Sequence, residues 1–257
     1  MGREQEGSGR QRCRPHAVAA LRDWFRSPLG RALGEAETTR LRASLGSLFG
    51  YHMLLVDAPW TEDVTEASRV RNRFRLNAGA GNGPLFEGRA DALPVITDSI
   101  DIIVLPHVLE FSSDPHAVLR EVDRCLIPEG HVVIVGFNPW SLWGLRSILT
   151  GWRGQVPWCG RFLGAGRLRD WLALLGFATV EAAPIGFRPP VGSPWLLERA
   201  GVLDRLADRG WRLPAAAYLL VARKRVMGLT PIKPRWRPRR GLLSPGIAEP
   251  TSRSGNS

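Results

Sequence analysis

The chain has 257 residues, 44% of them hydrophobic, and a formal net charge of +11, so it has length and composition enough for a substantial globular core. Its longest apolar runs, IDIIVLP at 100–106 and HVVIVGF at 131–137, are far too short to span a bilayer. The N-terminus, MGREQEGSGRQRCRPH, lacks the apolar stretch of a secretory signal, and three scattered cysteines (Cys13, Cys125, Cys159) suggest neither a disulfide framework nor a zinc site; both features predict a cytoplasmic protein.

Residues 16–49 read as helix, because Val18, Leu21, Phe25 and Leu29, then Leu41, Leu45 and Leu48, recur at spacings of three and four. Gly50 breaks the pattern before a short buried strand at 52–57, which runs into the turn Asp57, Ala58, Pro59, Trp60 and Thr61. Such a turn usually admits a nucleotide cofactor by means of glycines, and here there are none. TEDVTEAS at 61–68 suits a helix N-terminus, with acids in its first turn. RFRLN at 73–77 alternates like a second strand. AGAGNGP at 78–84 reads as a loop, with a short third strand after it.

SIDIIVLPHVLEF opens with an apolar strand, Ile100 to Leu105, of the kind buried on both faces of a parallel sheet. Asp114-Pro115 starts a helix, since aspartate caps it and proline fits its first position. Val118, Leu119, Val122 and Leu126 keep the helical period, Pro128-Glu129-Gly130 ends it, and His131 to Gly136 supplies another buried strand. Strand, helix and strand at this spacing form a parallel crossover unit.

Past Asn138-Pro139, four tryptophans (Trp140, Trp143, Trp152, Trp158) fall within nineteen residues, with Arg146 and Arg153 among them. Such a segment suits a packed helix with core tryptophans, and equally a lid, a base-stacking surface or a membrane-interface element. A helix at 166–175, a strand at FATVEAAPIGF and a last strand in AAAYLLVA follow, with 187–213 as a proline-rich and then helical insertion. Residues 225–257 carry seven basic side chains against Glu249 alone, a charge of +6, and five prolines. That composition predicts a disordered basic tail able to hold phosphate-bearing partners, with weak nucleic-acid contact as one use and a plain solvated extension as the other.

Several of these runs together resemble a known family. ADALP (Ala90 to Pro94) with DSID (Asp98 to Asp101), HVLEF at 107–111, LREVDRCLIPEGHVVI, and RLRDWLALLGFATVE at 167–181 are similar to the successive motifs of class I S-adenosylmethionine-dependent methyltransferases of the type 11 kind. The resemblance covers about residues 50–185. It implies an α/β, Rossmann-like fold with a seven-stranded, mostly parallel sheet and helices on both faces. To this the chain adds N-terminal helices (1–49) before a methyltransferase-like domain at 50–224, and a basic tail at 225–257. The implied cofactor is S-adenosyl-L-methionine and the implied reaction is methyl transfer to a small-molecule or RNA-linked acceptor.

Carried over residue by residue, the resemblance makes Asp91 the acid facing the adenine amino group, with Ala92 and Leu93 lining the ring. Val56, Asp57 and Ala58 occupy the place of the first, glycine-rich loop, and Asn77 stands where the family has an acid for the ribose hydroxyls. Pro106 ends the fourth strand beside the cofactor. His107 is the candidate general base, because histidine titrates near neutrality, with a strand-end histidine held by a backbone carbonyl as the alternative. The His107, Glu110 and His116 set has poor spacing for a metal. A dehydrogenase is excluded, since no G-x-G-x-x-G follows any strand. The glycine-free loop also suits a different class of function, a catalytically silent scaffold of this fold acting through its tail and Trp-rich segment.

Overall fold

The computed structural model describes residues 17–60, 62–77, 85–186 and 215–225. Most of the tail, the 187–213 insertion and the 78–84 loop lie outside the described residues. Two helices open the fold, α1 (Ala17–Phe25) and α2 (Pro28–Ser47). The single predicted helical stretch divides at Ser27, whose side chain accepts from the backbone N–H of Gly30 while Pro28 occupies the first turn. Close packing at this corner depends on glycine: a Cβ on Gly30 would lie 2.3 Å from the Trp24 carbonyl oxygen.

The strands are β1 (His52–Val56), β2 (Asn72–Leu76), β3 (Leu85–Phe86), β4 (Ile100–Pro106), β5 (Leu126–Phe137), β6 (Phe177–Ile185) and β7 (Ala217–Lys224). They form one seven-stranded sheet in the order β3-β2-β1-β4-β5-β7-β6. Pairings from β3 through β5 are parallel, and β7 runs antiparallel to both β5 and β6. The Rossmann-like architecture expected from the resemblance is therefore the observed one. Between the strands lie α3 (Val108–Phe111), α4 (Pro115–Cys125), α5 (Leu142–Thr150) and α6 (Ala165–Leu174). Asp114 caps α4 as predicted, accepting from the N–H groups of His116 and Ala117.

Alternate residues of the central strands feed two cores. Met53, Leu55, Ile102 and Val104 face the core that includes Leu21, Leu33, Leu41 and Leu45 of α1 and α2. Leu54, Ile103, Leu105 and Ile134 face the core built with Leu119 and Val122 of α4 and Leu168 and Leu172 of α6. This period of two, apolar on both faces, is what a parallel sheet covered by helices requires. A fully buried leucine contributes about 1.5–3 kcal/mol, so the buried leucines of α1 and α2 fix these helices on the sheet. Ion pairing reinforces the packing: Arg40 pairs with Glu181 of β6, which also accepts from the Ser44 hydroxyl at 3.0 Å.

Two expectations change. The stretch after β1 forms only a single 3₁₀ turn, Thr65–Ala67, where a helix was expected. The Asp63 carboxylate accepts from both the backbone N–H and the hydroxyl of Thr65, a local closure that competes with helix formation. Cys125 is a buried free thiol, whereas Cys159 is disulfide-bonded, which cysteine spacing did not suggest.

Candidate active site

In this sheet order the chain leaves β1 on one side toward β2 and on the other toward β4. That switch opens a crevice beyond the carboxyl ends of the strands. Asp57 and Asn77 follow directly on β1 and β2, and both have left-handed backbones, with φ of 50° and 49°. Aspartate and asparagine tolerate that region better than other side-chain-bearing residues. The turn thus keeps a glycine-like backbone path without glycine. It is pinned by the Asp57 N–H donating to Leu76 O and the Asn77 N–H to Phe86 O, both at 2.9 Å.

A cleft of about 430 Å³ opens there. Asp57 and Asn77 line it from the strand ends, Arg89 and Asp91 from the segment after β3, Arg22 from α1, and Val108, Phe111, Ser112 and Ser113 from the segment after β4. Burial pushes the Asp57 carboxyl up from its usual range, while a hydrogen bond from Asn77 and the Arg22 charge oppose that rise. The Arg22 Nε donates to Ala58 O at 3.3 Å, but its Nη2 is buried with no hydrogen-bond partner. Asp91 holds Arg89 in a bidentate pair at 2.8 and 2.7 Å, which lowers the Asp91 pKa. Asn77 is engaged with the backbone of Gly88, donating from Nδ2 to its carbonyl and accepting at Oδ1 from its N–H. It acts first as a latch between β2 and the Gly88–Asp91 segment.

His107 is elsewhere. It ends β4 with φ of 57°, and its ring is fully buried. Its Nε2 lies 3.0 Å from Glu37 Oε1 and its Nδ1 2.8 Å from Glu110 Oε2. The second oxygen of Glu37 accepts from the Trp60 indole N–H at 2.9 Å, and that of Glu110 from the Phe137 backbone N–H. Burial by itself would lower the His107 pKa; the two carboxylates outweigh it and push the imidazole up to about 10. A fully buried ring with both nitrogens engaged by carboxylate groups, away from the cleft lining, cannot reach an acceptor bound there. The expectation that His107 is the general base is therefore corrected: it is the centre of a sealed ionic link between α2, β4 and α3. Gly136 makes room for that link, since a Cβ there would lie 2.8 Å from the Tyr218 hydroxyl and 3.2 Å from Glu110 Oε1.

The other predicted contacts divide by position. Val56, Ala58, Leu93 and Pro106 are buried beneath the crevice and Ala92 is exposed; none lines the cleft. The Leu93 N–H is taken by Glu121 at 2.9 Å. Three candidates, Asp57, Asn77 and Asp91, come together on one cavity. Arg22, Arg89 and the Ser112-Ser113 pair join them without having been predicted. The serines directly follow the HVLEF motif, so their position was readable; Arg22 lies outside the span of the resemblance, on a helix whose docking is a tertiary event. His116 packs at a tilt against Trp171, 3.9 Å between centroids. Among the described residues no group of three His, Cys, Asp or Glu side chains could hold a metal ion.

Known proteins place the fold. Residues 51–134 match the methyltransferase domain family. The uncharacterized protein YafS of Escherichia coli K12 is 32% identical over 220 residues, covering 84% of this chain and 86% of YafS. A Thermotoga maritima methyltransferase, described as a possible histamine N-methyltransferase, superposes with a TM-score of 0.59 at 15% identity, over 81% of this chain and 96% of its own. A Haloferax volcanii putative methyltransferase complexed with the Trm112 activator gives 0.56 at 16% identity, over 83% and 99%. The strand order and the matched domain agree: this chain belongs to the class I S-adenosylmethionine-dependent methyltransferase family, with a glycine-free first loop.

Proposed function

We propose that this protein binds S-adenosylmethionine in the cleft at the ends of β1, β2 and β4 and transfers its methyl group to a small-molecule or RNA-linked acceptor. The observation that carries the proposal is the convergence of Asp57, Asn77, Asp91 and Arg22 on one cavity. Their chemistry fits the cofactor's ends. Asp57 suits its ammonium and Arg22 its carboxylate, as charge-assisted hydrogen bonds. Asn77 retains donor and acceptor capacity beside the ribose, and Asp91 accepts from the adenine amino group once Arg89 yields. When bound, the cofactor supplies an already activated sulfonium methyl. The chain's task is then alignment, which is worth about 7–11 kcal/mol when reactants are well placed. Ser112 and Ser113, which line the cleft from the segment after β4, are the hydroxyls available to an acceptor.

A second reading, a silent scaffold of the same fold, is favoured by one observation: Asp91 is saturated by Arg89 in a bidentate pair. Titration calorimetry with S-adenosylmethionine and its demethylated product separates the two. Binding at micromolar affinity or tighter, about −8 kcal/mol, supports the enzyme. No binding at millimolar ligand sinks it and leaves the scaffold. If deleting 225–257 then leaves low-salt nucleic-acid retention unchanged, the tail is a solvated extension.

A further inference from the structure

The helix α5 is turned the wrong way round for a free surface. Its inward face is small or polar apart from one tryptophan: Trp143, Gly144 and Ser147 are buried. That orientation is fixed, because a Cβ on Gly144 would collide with the Pro139 carbonyl at 1.9 Å, and the Ser147 hydroxyl donates to Trp158 O at 2.7 Å. Outward point Leu142, Leu145, Ile148 and Leu149, bracketed by Trp140 at 84% and Trp152 at 73% exposure. Contiguous exposed apolar surface of this kind marks an interaction site.

Charge says which partner. From Gly130 to Arg169 the chain has no acidic residue, but it has Arg146, Arg153, Arg161, Arg167 and Arg169. The Arg153 guanidinium lies 5.2 Å from the Trp152 ring centroid and that of Arg146 4.6 Å from the Trp158 ring. Aliphatic side chains along one helix, tryptophan at both ends and cations alongside are the composition of a helix lying in a bilayer interface. Among the described residues no helix is long and apolar enough to cross a membrane, so contact would be with one leaflet. We infer that the exposed face of α5, with Trp140 and Trp152, seats the protein on the surface of a bilayer containing anionic lipids. Because α5 starts just past the carboxyl end of β5, which is parallel to β4, the seated face lies at the same end of the sheet as the cleft.

Vesicle flotation of the full-length protein tests this, and it requires no cofactor, so its outcome is separable from the methyltransferase reading. The protein is expected to float with phosphatidylcholine–phosphatidylglycerol vesicles and much less with phosphatidylcholine alone. Ile148→Ser with Leu149→Ser, both solvent-facing, is expected to weaken binding by at least about tenfold with an unchanged melting temperature. Should that variant misfold, Leu145→Ser with Trp152→Ser serves the same purpose. Absence of flotation overturns the inference. So does binding that both variants leave intact, which would assign it to the basic tail. Loss of a dimer in light scattering on substitution, without vesicle binding, overturns it in favour of a second copy of the chain.

Discussion

Two clusters of polar and charged side chains sit at the carboxyl ends of the strands, around the last residues of β1 and β4. One, Arg22, Asp57, Asn77, Arg89 and Asp91, lines an open cleft. The other, Glu37, His107 and Glu110 with Trp60, is closed to water, and every carboxylate oxygen in it has a partner. In sequence they look alike, each a polar residue at the carboxyl end of an apolar strand. What separates them is α1 and α2. Glu37 arrives on α2 and completes the imidazole's second hydrogen bond, while α1 brings Arg22 to the cleft and leaves one of its nitrogens unmet. A strand-end ionisable residue is thus free for ligand or spent on the fold according to what the N-terminal helices place beside it.

The comparison breaks most visibly on stability. Glu37→Ala strands a buried imidazolium and an indole donor, and should cost about 3–5 kcal/mol, measured by urea unfolding. Asp91→Ala, at the open cleft, should move the same midpoint little, because exposed ion pairs contribute little to stability.

The sealed cluster also has a pH signature. The folded pKa of His107 is raised from 6.5 to about 10. Its stabilising contribution is therefore complete below the unfolded value and lost as pH rises through the folded one. The melting-temperature advantage of the wild type over Glu37→Gln should be full below pH 6.5, shrink steadily as pH rises toward about 10, and vanish above it. A constant difference would mean the imidazole is neutral in the fold.

Effects at the open cluster should appear in ligand affinity. Arg22→Met keeps the stem and removes the charge-assisted donor, worth about 1.5–3 kcal/mol. Calorimetry should show S-adenosylmethionine binding about tenfold or more weaker, with stability nearly unchanged. The smallest effect is expected from Arg89→Ala. Freed of its partner, Asp91 should bind ligand slightly better, about two- to fivefold, since an exposed pair is weak competition.

The parts of this layout that were legible in sequence are those with local causes. The buried strands, the Asp114-Pro115 start of α4 and the crossover from β4 to β5 all follow from period and capping, and the family motifs lie on them. The short 3₁₀ turn after β1 was missed because Asp63 closes on Thr65, a competition that acidic residues in a first turn do not reveal. The sealing of His107 was missed because Glu37 is 70 residues away in sequence. The division of tryptophans, with Trp143 and Trp158 buried and Trp140 and Trp152 exposed, required the orientation that Gly144 and Ser147 set. The glycine-free loop, the most discouraging feature of the sequence, starts with Asp57, which adopts positive φ in glycine's place.

Hydrogen exchange with and without saturating S-adenosylhomocysteine tests this division of labour most directly. Ligand should protect peptides covering Asp57 to Trp60 and Gly88 to Asp91, and leave Val104 to His107 unchanged because they are already closed to solvent. No protection at the cleft, or protection only outside it, would contradict the claim that the open cluster is the cofactor site.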